Sequence, residues 1–193
     1  MRISIIDLQY FQQLHDCTYH GDIYYMPLMK RLDHLYKHMI KYNRSDLNRF
    51  NTYSDSFACI LSMANALNLD LSKGIEESQD RMIVALNDVD IIYNLTHLNS
   101  KTTSVLSKMA KLLESHDHVE SLKYKEDFKA QVVDLMIVFI HQINSDELNV
   151  NEIIKNYVKN IFELKKKHIF FPHYHASQRL IPVYRSFENL LLI

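Results

Sequence analysis

The chain has 193 residues, 47% hydrophobic and 23% charged, with a formal net charge of −1. That is the make-up of an ordinary globular protein of one domain, and it supplies no general field for nucleic acid, which is not an expected partner. Only 2 Gly and 3 Pro interrupt the chain, which argues against a sheet of many tight turns and for long helices. Cys17 and Cys59 stand in unrelated contexts and suggest neither a disulfide framework nor a zinc set, so a reducing cytoplasm is the expected compartment. The N-terminus lacks the basic start and apolar core of a secretory signal, and no apolar run reaches the roughly 18–20 residues a bilayer span needs, so no membrane partner is expected.

Taken in order, residues 3–14 read as a short helix and residues 15–22 as a loop, in which His15 and His20 are a weak metal pair without a patterned third ligand. Residues 24–42 read as the first long helix. Leu28, Leu32, Leu35 and Met39 recur at helical steps, and Pro27 suits the first turn. Its other side carries Asp33, His34, Lys37, His38 and Lys41. A solvated charged face is the plain meaning of that pattern, and phosphate binding by Lys37, His38 and Lys41 is the functional one. His34 and His38 have the i,i+4 spacing of some zinc helices but lack the accompanying Glu.

Residues 52–69 form the second long helix, with Phe57, Ile60, Leu61 and Ala64 on its packing face and Asp55 on another stripe. Asp70 opens a segment that runs to about Tyr93, and residues 102–115 make a further amphipathic helix. His116, Asp117, His118 and Glu120 read as a solvated turn rather than a metal site.

The longest apolar run lies in residues 126–143. Asp127, Asp134 and His141 recur there every seven residues, almost two helical turns, and so share a stripe with Gln131 beside it. A carboxylate in such a helix needs a partner, because bare burial costs several kcal/mol. Two partners suit Asp134: a basic or hydroxyl side chain on a neighbouring helix, or a divalent metal shared between helices. Residues 150–167 give one more amphipathic helix, closed by three lysines. The aromatic and His-rich stretch 168–175 suits a ring pocket, a core wedge or a dimer contact, and the apolar tail 180–193 suggests docking on this domain, on a second copy or on a protein partner. The fold expected is all-α, a compact bundle of seven or eight helices.

Two stretches share an outline. Tyr53–Leu71 leads into Ile75–Met82, and Val132–Ile143 leads through Leu148-Asn149-Val150 into Ile153–Asn160. Each has an early Asp in a long apolar helix, a short break and a second amphipathic helix, and each follows another helix. The pattern resembles the all-α nucleoside triphosphate pyrophosphohydrolases, the MazG-like and dimeric dUTPase-like group, as two degenerate copies at about 24–93 and 102–167. In that family Glu-x-x-Glu and Glu-x-x-Asp helices hold Mg²⁺. Here Thr52 and Asp55, Gln131 and Asp134, and Lys30 and Asp33 stand at such positions. The resemblance implies a nucleoside triphosphate as ligand, Mg²⁺ as cofactor, and Asp33, Asp55 and Asp134 as metal ligands. It further implies Lys37 and His38 as phosphate contacts and Asp127 and His141 as supporting groups at the substrate. The missing glutamates imply an activity reduced or lost, and leave no assignable base. The rival expectation is a non-catalytic helical adaptor, inhibitor or structural subunit.

Overall fold

The computed structural model describes residues 4–42, 49–86, 96–118 and 123–167. Among the described residues the protein is all-α, with eight helices and no strand: α1 (Ile5–Tyr19), α2 (Gly21–Tyr24), α3 (Leu28–Tyr42), α4 (Arg49–Ala66), α5 (Leu71–Leu86), α6 (Thr96–Asp117), α7 (Tyr124–Ser145) and α8 (Val150–Lys167). None of these helices is long and apolar enough to cross a membrane. The aromatic stretch 168–175, the tail and Glu120 lie outside the described residues.

The helix α1 begins with a reciprocal cap. The Ser4 hydroxyl accepts from the Asp7 amide, and the Asp7 carboxylate accepts from the Ser4 amide at 2.9 Å. It then continues through residues 15–19, where a loop was expected. Leu8, Phe11, His15 and Tyr19 fall at steps of three and four and are all buried, so the face is helical although one member is a histidine and Asp16 sits beside it. A polar residue on a buried face interrupts an apolar pattern without interrupting the helix.

The centre of the bundle is α4, which packs against α1, α3, α7 and α8. Its face carries small residues as well as large ones. Ser54 is fully buried and accepts from the Asn156 amide at 2.7 Å, which draws α8 close. Tyr157 of α8 then lies edge-on to Phe57 of α4 and Phe11 of α1, and its hydroxyl donates to Gln12 at 2.8 Å. Gln9 stitches α1 to the turn between α4 and α5: its side-chain amide donates to the Leu69 carbonyl at 2.7 Å, and its oxygen accepts from the Leu71 amide at 3.0 Å.

The helix α7 buries Phe128, Val132, Leu135, Met136, Phe139 and Ile143, which explains the apolar run. Its seven-residue stripe does not point into a sealed core. Asp127 and His141 are exposed and Asp134 is half-buried, because the stripe lies along the edge of the buried face.

Candidate functional site

Polar groups gather on the other side of α4. A half-open cavity of about 260 Å³ lies between α1, α2, α3, α4 and α8. That volume is just under the roughly 300–1,000 Å³ of pockets for drug-sized ligands, so it suits a small molecule or one part of a larger one.

Asp16 forms its floor. One carboxylate oxygen accepts from the Gln12 amide at 2.6 Å, and the other from the Ser62 hydroxyl at 2.6 Å and from Arg31 Nη2 at 3.4 Å. Burial still pushes the Asp16 carboxyl above the usual carboxylate range, against those hydrogen bonds and the charges of Arg31 and His20. The Arg31 side chain is only 8% exposed. Its guanidinium lies 4.7 Å from the centre of the Tyr24 ring, and Nη1 donates to the Tyr24 carbonyl at 3.4 Å.

Histidines line the walls. His15 and His20 have ring centres 5.2 Å apart, and His34 and His38 lie 4.7 Å apart on successive turns of α3. Burial lowers the His38 pKa, and His34, Lys41 and His20 lower it further by charge. Across from them α4 presents Asp55 and Cys59. Burial raises the Asp55 carboxyl, with Lys41 opposing, and keeps the Cys59 sulfur a thiol, helped by the negative charges of Asp16 and Asp55.

Of the residues singled out from the sequence, Asp55 and His38 line this cavity, as do His15, His20 and His34. Asp33 instead takes Lys37 Nζ at 2.6 Å on the outer side of α3, an exposed i,i+4 pair. Asp134 is raised by burial, with the charge of Lys108 on the neighbouring α6 opposing. Among the described residues no group of three or more His, Cys, Asp or Glu side chains is placed to hold a metal ion. Among the described residues, then, Asp33, Asp55 and Asp134 are not brought together as the Mg²⁺ ligand set that the resemblance implies.

The sequence pointed past Gln12, Asp16, Arg31 and Ser62. Asp16 was legible by the logic applied to Asp134, an acid beside an apolar helical face. It was hidden by ending the first helix at Leu14. Arg31 gave no comparable signal, since its neighbour Leu32 carries the apolar pattern.

A second polar knot, away from the cavity, joins the start of α4 to the end of α7. Asp146 accepts from Arg49 at 2.5 Å and from the Tyr53 hydroxyl, and burial raises the Tyr53 phenol. It serves as a clasp. No protein-family model, curated protein or solved structure matches this chain.

Proposed function

We propose that this chain is a nucleotide-binding helical protein that holds its ligand in the cavity beside α4. In this reading it is akin in chemistry to the Mg²⁺-dependent nucleoside triphosphate pyrophosphohydrolases, with turnover reduced or lost. The observation that carries the ligand site is the cavity itself: a concave space with Arg31, four histidines and two carboxylates converging on it, between helices of a bundle. Hydrolysis is not assigned to Asp33, Asp55 and Asp134.

The kinship takes α3–α5 and α6–α8 as two degenerate copies, and two features support it. Exchanging α3 with α6, α4 with α7 and α5 with α8 turns the pair α3/α4 into α6/α7 and the pair α4/α8 into α7/α5, and all four pairs are packed. The exits of α4 and α7 also share one turn. Asn68 and Glu147 are both left-handed, with φ of 54° and 57°. The amides of Leu69 and Leu148 then donate back to Ala64 and Ile143 at 2.9 and 3.1 Å. Asp70 and Asn149 next cap the following helices, accepting from Ser72 and Asn151 at 3.0 and 2.8 Å.

Thermal unfolding in the presence of nucleoside mono-, di- and triphosphates, with and without Mg²⁺, tests the reading. A ligand at a hundred times its Kd stabilises by about 2.7 kcal/mol. The expected outcome is a rise in Tm that His38→Gln reduces; no shift with any nucleotide at millimolar concentration sinks it. Pyrophosphate release measured on the same samples separates a working enzyme from a binding protein.

The second reading, a non-catalytic interaction protein acting as a homo-oligomer or with a protein partner, is favoured by one feature. Ile6 and Tyr10 stand 46% and 58% exposed one turn apart on α1, and Tyr25 is 77% exposed just after α2. Tyr10→Glu that breaks an oligomer in sedimentation would favour it.

A further inference from the structure

Asp16 is served at short range by Gln12 and Ser62, and its contact to Arg31 is the longest of the three, at 3.4 Å. Both hydrogen bonds of Arg31 are 3.4 Å long, and among the described residues its remaining N–H donors have no protein acceptor. A guanidinium carries five such donors in a planar fork that matches two oxygens of one oxyanion. Taking it out of water without filling that fork is costly, and the fork lines the cavity. We propose that Arg31 anchors a phosphate group in this cavity, and that the group enters together with protons taken up by the surrounding histidines. The inference rests on the ligand site proposed above and names the part of the ligand that the site holds.

The charges around the cavity require the proton coupling. From α1 come Asp16 and His15, with His20 at its end. The short α2 gives Tyr24. From α3 come Arg31, His34 and His38, with Lys41 beyond them, α4 gives Asp55 and Cys59, and α8 gives Tyr157. With neutral histidines, Arg31 is matched by Asp16 and Lys41 faces Asp55, so the cavity has little net charge to offer an anion. Each histidine that gains a proton adds one positive charge and one more N–H donor. A bound anion in turn makes those protons harder to lose. By linkage, anion affinity rises as the pH falls from 8 to 6. The volume suits one phosphate with a small attached group, not a whole extended triphosphate.

The test titrates inorganic phosphate, a nucleoside 5′-monophosphate, its parent nucleoside, and sulfate into the protein by calorimetry at pH 6 and pH 8. Sulfate keeps its charge across this range, so its pH dependence reports the protein alone. Repeating the titration in buffers of different ionisation enthalpy counts the protons taken up. Phosphate, monophosphate and sulfate are expected to bind and the bare nucleoside to bind far more weakly. Sulfate should bind about tenfold more tightly at pH 6, equivalent to about half a proton taken up per anion on average across the two pH units. Arg31→Lys keeps the charge beside Asp16 but removes the fork, and should weaken phosphate by about tenfold or more, the loss of one charged hydrogen bond. His38→Gln, which leaves the Asp16 network untouched, should flatten the pH dependence even if Arg31→Lys proves too unstable to assay. Anion affinity indifferent to both pH and these variants would overturn the proposal, as would no anion binding at either pH. Phosphate binding without any nucleotide binding would uphold it and overturn the nucleotide reading instead. Nucleotide binding that ignores Arg31 would do the reverse.

Discussion

Asp16 and Asp134 show how the same residue type meets different surroundings on two buried helices. Asp16 lies within a ring of donors from α1, α3 and α4, whereas Asp134 stands at the edge of α7 near a lysine of α6. Burial raises both carboxyls, and Asp55 as well. The sign for stability follows from linkage. A carboxyl whose folded pKa lies above its unfolded value, near 3.8 for Asp55, holds its proton more tightly in the folded protein. Its contribution is full below that value and is lost as the pH rises through the raised one. Asp55→Asn should therefore raise Tm at pH 7 and flatten its decline between pH 4 and pH 7. Parallel Tm profiles for the two proteins would refute this account of Asp55.

Element by element, boundaries followed the backbone rather than the apolar pattern. The last amphipathic helix spans Val150–Lys167 as its periodicity indicated, but α3 starts at Leu28 rather than 24 and α6 starts at Thr96 rather than 102. Pro27 explains the first shift: its carbonyl accepts from Arg31 as the first turn forms, while residues before it belong to the separate turn of α2. The exits of α4 and α7 needed a left-handed residue, and the chain uses Asn68 and Glu147 where glycine is commonest. Asn tolerates that conformation through its short polar side chain, and Glu does not. Glu147→Gly is thus expected to stabilise the protein by about 0.5–1 kcal/mol in urea unfolding, the relief of strain less the greater freedom of an unfolded glycine. Gly74 has the opposite constraint. A Cβ there would meet Val133 Cγ2 at 2.6 Å, where α5 lies on α7. Valine is stiff at χ1, so Gly74→Ala should cost about 1–3 kcal/mol, only partly offset by better helix propensity. A stability gain from that change would mean the two helices separate easily.

At the scale of the whole molecule, α4 divides the labour. One side packs on α7 through Phe57, which stacks on Phe139, and the other side faces the cavity with Ser62, Cys59 and Asp55. Tyr157 joins α8 to α1 across this divide, with its ring in the core and its hydroxyl on Gln12. Tyr157→Phe keeps the ring and strips the donor from a buried amide oxygen that orients the partner of Asp16, so a loss of about 1–3 kcal/mol is expected in thermal or urea unfolding.

The class of fold was written in the sequence because helical period, scarce turn residues and long amphipathic segments are local properties, each readable within a few turns of chain. Asp55 and His38 were visible on polar stripes of their helices, and both line the cavity. Which acids meet which bases was decided only by packing. Arg31 and Asp16 are neighbours because α1 and α3 both pack on α4, and Lys37 captures Asp33 on the exposed side of α3. Charge pairing depends on separations of a few ångströms between helices, and a one-dimensional pattern carries the face of each residue but not what stands opposite it.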